Sequence, residues 1–186
     1  MKNYLIFVIL LLFLGCSDKK SDLEIIKNYH PEKKYFIANL TSLHYMIETD
    51  KPEELKPVFE NVINKMDIPV DAAGCKDGIY TGTSPADAFD FVHRVEIEIK
   101  DEKIIRVSYD EINDNGVSKK KSKVYGQQME SEGTTPAIAY NYMEEKLLEQ
   151  QNYMEVDAVT GATYSLYRFR FAMAIALIKA KMGKSQ

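Results

Sequence analysis

The sequence predicts an α+β fold: a small twisted antiparallel sheet or half-barrel packed with C-terminal helices, plus an N-terminal helical pair. Three observations carry this expectation. Residues 89–112 hold two alternating stretches joined by Asp101-Glu102, the pattern of an antiparallel hairpin. Residues 164–181 place Leu166, Phe169, Ala172, Met173, Ala176 and Leu177 on one helical stripe. Residues 31–66 hold two more helical periodicities, separated by Thr49-Asp50-Lys51.

The first residues are set aside before the fold. Lys2 precedes an apolar run, Tyr4 to Leu14, that ends in Gly15-Cys16-Ser17-Asp18. The run is short of the ~20 apolar residues that span a bilayer and matches a secretory h-region. Its end resembles a bacterial lipoprotein cleavage site, although Phe13 and Leu14 depart from the usual pattern. The resemblance implies a signal peptide over 1–15, a lipidated (palmitate-bearing) Cys16, and a polar tether over 16–22. It also implies anchoring to the extracytoplasmic face of a membrane, whether extracellular or periplasmic. An ordinary signal peptide, or a signal anchor with Cys16 incidental, is the competing reading.

The first helix, Pro31 to Glu48, carries Tyr35, Ile37, Leu40, Leu43, His44 and Ile47; the second, Lys51 to Met66, carries Leu55, Val58, Phe59, Val62, Ile63 and Met66. Pro52 suits the second helix's start. His30 and His44 stand isolated and read as surface or interface residues. Pro69, Gly74 and Gly78 punctuate a boundary, followed by a short strand at Ile79 to Thr83. In the hairpin, Val92, Val95, Ile97 and Ile99 are expected on one face, opposite Arg94, Glu96, Glu98 and Lys100. Its second strand runs through Ile105, Val107 and Tyr109. Residues 113–123 form a polar loop whose Lys119, Lys120, Lys121 and Lys123 read as a solvated face, with a patch for phosphate or anionic lipid as the alternative. Thr134-Thr135-Pro136 opens a helix with Ile138, Tyr142, Leu147 and Leu148 on its apolar side.

The chain has 186 residues and a formal net charge of −4 without a dominant basic patch, which argues against nucleic acid as a partner. With Cys16 lipidated, Cys75 is left alone and reads as a small packed side chain. No metal-ligand set and no nucleophile–base pair is visible, so the sequence assigns no catalytic residue.

The stretch Asp157-Ala158-Val159-Thr160-Gly161-Ala162-Thr163-Tyr164-Ser165 lies where a polar turn feeds the last helix. Gly161 frees the backbone for positive φ, and Ala162 adds little bulk. Thr163 falls at the cap or first turn, where unpaired amides and the helix dipole favour an anion such as phosphate. Asp157 suits a turn cap, or a metal ion during cofactor attachment, better than a phosphate neighbour. Taken alone, the run is equally a helix start in which Thr163 or Ser165 caps free amides.

Three blocks in order resemble the FMN-binding domain family, found in the flavin-bearing subunits of sodium-pumping quinone reductase and the related ferredoxin–NAD oxidoreductase complex. They are Asp77-Gly78-Ile79-Tyr80-Thr81-Gly82-Thr83-Ser84; Val95 to Tyr109 with the segment to Met129; and Gln150-Gln151 through Ser165. The chain looks closest to the lipoprotein branch implicated in extracellular electron transfer. The resemblance implies an FMN-binding domain over 75–182, preceded by a helical extension over 23–68 to which it assigns no role. It implies FMN joined through its phosphate to the Thr163 hydroxyl by a separate flavin transferase. Asp157, Thr160, Gly161, Ala162 and Ser165 complete the acceptor segment, and Gly82 lies in the opening block. Leu166 departs from the pattern, standing where a second Ser is common. Tyr80 and Tyr125 are expected either against the flavin ring or in the core. The implied activity is electron carriage to a membrane-bound redox partner rather than substrate turnover. A non-redox lipoprotein binding FMN reversibly as a module or sensor, and a structural subunit of a membrane redox complex, are the alternatives.

Overall fold

The computed structural model describes residues 21–130 and 133–185, so the leader, Cys16 and the tether through residue 20 lie outside the described residues. In chain order the elements are α1 (Asp22–Ile26), α2 (Phe36–Thr49), α3 (Pro52–Met66), β1 (Gly78–Thr83), β2 (Phe91–Lys100), β3 (Lys103–Asn113), α4 (Lys123–Glu130), α5 (Pro136–Gln150) and α6 (Thr163–Met182). The three strands form one open antiparallel sheet in the order β1-β2-β3. The fold is therefore α+β, as the sequence predicts. Among the described residues no helix is long and apolar enough to cross a membrane.

The hairpin closes through Asp101 and Glu102, both at positive φ (50° and 58°), the backbone of a two-residue primed turn. A register shift at Glu98/Ile99 breaks simple alternation. Its consequence corrects one expected face, Ile104 rather than Ile105 turning inward. In β2 alternation is unbroken from Phe91 to Ile99, so Val92, out of step with Val95, yields the core position to His93.

Helix α6 is the axis of the molecule. One side packs on β1 and β2, and the other receives α1, α2 and α3. The sequence suggested a single apolar stripe, but Ser165 through Ala180 are buried all round, Arg168 alone being partly open. A helix covered on every side needs no polar face. Gly82 sets the approach to the sheet. A Cβ there would stand 2.0 Å from the Ala172 carbonyl oxygen and 2.6 Å from the Ala176 amide nitrogen. Only a residue without a side chain lets α6 lie this close to β1.

Side chains close both edges of the sheet. On β1, Asp22 Oδ2 accepts from the Thr83 amide (2.8 Å) and Lys179 Nζ donates to the Thr81 carbonyl (2.7 Å). The buried Lys179 also meets Asp22 Oδ1 at 2.8 Å, joining α1 to α6. On β3, Glu144 accepts from the Tyr109 amide (2.7 Å), and Gln151 both accepts from the Ile104 amide (2.8 Å) and donates to its carbonyl (3.0 Å). These bonds set the rotation of α5 and correct its expected face. Ala139, Tyr140, Met143 and Leu147 are buried, whereas Ile138 and Leu148 are exposed. Unpaired edge amides are costly to leave unsatisfied, so they outweigh two aliphatic side chains. The expected start of α5 is present: Thr135 caps it through the Ile138 amide, with Pro136 in its first turn.

Candidate functional site: the acceptor turn at the start of α6

The segment that the sequence marks as a candidate acceptor follows α5 and is anchored at its start. Tyr153 and Val156 are fully buried, and the Tyr153 amide donates to the Val70 carbonyl at 3.2 Å. The chain then rises to the surface, with Asp157, Thr160 and Gly161 exposed and Thr163 half-buried. A turn closes through the Ala162 amide and the Val159 carbonyl (2.9 Å), with Gly161 at φ 82°. That is the glycine-requiring third position of such a turn.

Thr163 is the first residue of α6. Its N-cap, Ala162, offers no side-chain hydrogen bond, and the first intrahelical bond runs from the Leu166 amide to the Ala162 carbonyl (3.0 Å). The amides of Thr163, Tyr164 and Ser165 therefore stand ahead of the helical ladder, at a residue that is half-buried. Ser165 turns inward, and its carbonyl lies 3.4 Å from the Tyr109 hydroxyl.

The N-terminal helices brace this end of α6. The Tyr164 hydroxyl reaches the Asp50 carbonyl (3.3 Å), and the Arg168 guanidinium grips Glu48 through two bonds of 3.0 and 2.5 Å. Ring contacts pair Phe59 with Tyr167 (6.0 Å) and His44 with Phe171 (5.4 Å). Burial lowers the pKa of His44 despite the opposing pull of Glu48.

Beneath α6 lies a buried charged cluster that sequence reasoning missed. It joins Glu48 (α2), Asp87 (before β2), His93 (β2), Glu111 (β3), Lys119 and Arg168 (α6). Lys119 Nζ pairs with Glu111 at 2.6 Å and lies 3.6 Å from Asp87; His93 Nδ1 is 3.5 Å from Glu111. Arg168 lies 3.6 Å from Glu111 and 3.7 Å from Asp87. Burial pushes the Glu111 carboxyl upward, but His93, Lys119 and Arg168 prevail and hold it well below the usual carboxylate range. Lys119 thus corrects the expectation of a solvated lysine run. Its ammonium sits over the Phe91 ring (4.3 Å), and Lys120 pairs with Glu144 at 2.7 Å.

Ligand-type atoms of Glu48, Asp87 and His93 lie within 4.8 Å of one another. Arg168 already occupies both Glu48 oxygens, and two cations face Asp87 Oδ2. The donor set is that of an ion-pair network, not of an open cation site. The eight-residue separation of Glu111 and Lys119 gives no signal by itself, because the pair forms only when the loop after β3 folds back.

The remaining sequence-derived residues divide by position along α6. Tyr125, in α4, stacks edge-on with Phe91 (5.4 Å) beside Lys119 and so flanks the charged cluster. Tyr80 is buried, with its hydroxyl 3.3 Å from the Asp77 carbonyl. Its neighbour Thr81 meets Lys179, which stands about 24 Å along α6 from Thr163 at 1.5 Å per residue. Tyr80 and Gly82 are thus placed in the core and the helix–sheet contact, away from the acceptor turn. Cys75 is buried, its thiol pushed up by burial to about 11.

No family model matches the chain, and no curated protein matches it. Among solved structures, the chain is similar to the crystal structure of the CPE2226 protein from Clostridium perfringens. Identity is 31%, with 60% of this chain and 93% of that one covered and a TM-score of 0.56. The chain belongs to the family of that clostridial protein. A solution NMR structure of a Clostridium thermocellum protein is matched at 18% identity over 53% of this chain and 89% of that one, with a TM-score of 0.33. This second likeness is too distant to carry an argument.

Proposed function

We propose that this chain is a lipid-anchored extracytoplasmic flavoprotein that carries electrons through FMN joined by a phosphoester to Thr163. The observation that carries the reading is where the acceptor sequence falls. Of Asp157 to Ser165, the residue named as acceptor is the first of α6, reachable by solvent, with uncapped amides beside its hydroxyl. A phosphoester there gains from amide donors and from the positive end of a 20-residue helix dipole.

The flavin supplies the redox chemistry when bound. The chain's own residues hold the site. Gly161 makes the turn, Ala162 packs into the core and so anchors the turn to the body of the protein, and α2 and α3 brace the first turns of α6, which Thr163 begins. Ester formation needs an activated flavin phosphate, supplied as a pyrophosphate-linked flavin nucleotide. The Thr163 oxygen bonds to the flavin-bearing phosphorus, the pyrophosphate bond breaks to release the second phosphate group, and the hydroxyl proton passes to a base of the transferase.

The test is co-expression of the full chain with a flavin transferase, read by flavin fluorescence on a denaturing gel. Wild type should show the band, and Thr163→Val should lose it while retaining its circular dichroism and melting temperature. A wild-type protein that binds FMN but releases it on denaturation supports the reversible module instead.

A further inference from the structure

Three cationic residues are buried among the described residues: Lys119, Lys179 and Arg170. The two lysines pair with carboxylates at 2.6 and 2.8 Å. Arg170 has no carboxylate within ion-pair distance among the described residues. Its Nη2 instead donates to two backbone carbonyls, Met154 (2.7 Å) and Val156 (2.8 Å). Both belong to the segment that leads into the acceptor turn, and Val156 directly precedes the exposed Asp157.

Few other bonds hold that stretch. Between Tyr153, tied to Val70, and the Val159–Ala162 turn, the other hydrogen bonds to the described backbone come from Asn152. Its side chain accepts from the Met154 amide (2.9 Å), and its carbonyl accepts from Glu155 (3.2 Å). Both are local to the loop. Arg170 is therefore the hydrogen-bonding link from residues 154–158 to α6, two turns beyond Thr163. It ties the loop to the helix that bears the acceptor hydroxyl.

We infer that Arg170 is the positioning residue of the flavin-acceptor segment: its two carbonyl bonds hold Met154–Asp157 in the shape a flavin transferase recognises. The inference rests on the Thr163 reading. Thr163 itself rides on α6, which is braced by Glu48, Asp50 and Phe59, so Arg170 acts on presentation of the loop and not on the hydroxyl. Losing it should weaken recognition and spare the transfer step.

The test uses the processed full chain as substrate for a purified flavin transferase, with wild type, Arg170→Met and Arg170→Lys compared. R170M should raise KM for the chain about tenfold and leave kcat within about twofold, while backbone order parameters of Asp157–Gly161 fall. R170K, which keeps a cationic donor, should lie nearer wild type. An unchanged KM in R170M, or a fall in kcat at constant KM, overturns the inference. If R170M does not fold, R170K decides: a smaller rise in KM together with a fall in loop order supports positioning, and no change in both, or a change in one alone, overturns it. If wild type accepts no flavin, the Thr163 reading fails. Order parameters in R170M then decide separately whether Arg170 holds the loop, a fall supporting it and no change overturning it.

Discussion

Glu111 shows how a single buried carboxylate ties several elements together. It is fully buried, pairs with Lys119 at 2.6 Å, accepts from the Tyr109 hydroxyl at 3.0 Å and faces Arg168 and His93. Because its folded pKa is depressed, its contribution to stability is fully present above its unfolded value of about 4.3 and fades as pH falls below that. Glu111→Gln should therefore flatten the stability–pH profile below about pH 4 and cost about 3 kcal/mol at neutral pH, since it takes from Lys119 its 2.6 Å partner and leaves it Asp87 at 3.6 Å. Urea titrations across pH check both. Little of this was legible in the sequence. Glu111 ends a strand that reads as alternating, His93 hides among charged neighbours, and the lysine run looks like ordinary surface. Their meeting depends on strand register and on the return of the 113–122 loop, which local pattern does not encode. Gly161 was legible, because a turn with φ 82° demands it whatever the tertiary surroundings.

At the scale of elements, the boundaries of α3 and α5 follow from periodicity and from proline and threonine at helix starts, whereas α2 begins at Phe36 and not at Pro31, leaving Tyr35 exposed at its N-cap. Rotation does not follow from these signals. The α5 face was misread because Glu144 and Gln151 are polar, and their work of closing the β3 edge is invisible until strand and helix are side by side. The short α4 carries no buried residue and left no apolar pattern to find. Gly82 gives the sharpest test of the helix–sheet contact. Gly82→Ala would drive α6 away from β1 and should cost at least about 3 kcal/mol, at the upper end for overpacking, as measured by chemical denaturation. The cap of α5 should behave independently, with Thr135→Ala losing about 1 kcal/mol in the same assay.

For the whole molecule, the sequence separated a helical extension from a flavin domain, whereas the structure gives them one continuous core. Ile26, Leu40, Leu43, Ile47, Leu55 and Phe59 join the same buried cluster as β2, β3 and α6. The extension thereby gains a structural role, covering the second side of α6 and steadying the turn that bears Thr163. Phe59→Ala should cost about 3–5 kcal/mol and lower the melting temperature although it lies outside the family-like region. The fold also begins early. Asp22, placed at the end of the tether by the sequence, is bonded to Thr83 and Lys179. A chain from Cys16 to Asp22 can then span only on the order of 20 Å, so a lipidated protein would sit close to its membrane. Replacing Cys16 with Ser should move it from the membrane fraction to the soluble extracytoplasmic fraction.

The central claim concerns one hydroxyl, and the most direct measurement is the intact mass and peptide map of the natively processed protein. The account predicts a mass increase of one FMN less one water, located on the peptide that contains Thr163 and absent from Thr163→Val. An unmodified Thr163 in cells that possess a flavin transferase, or a flavin carried on another residue, would contradict it.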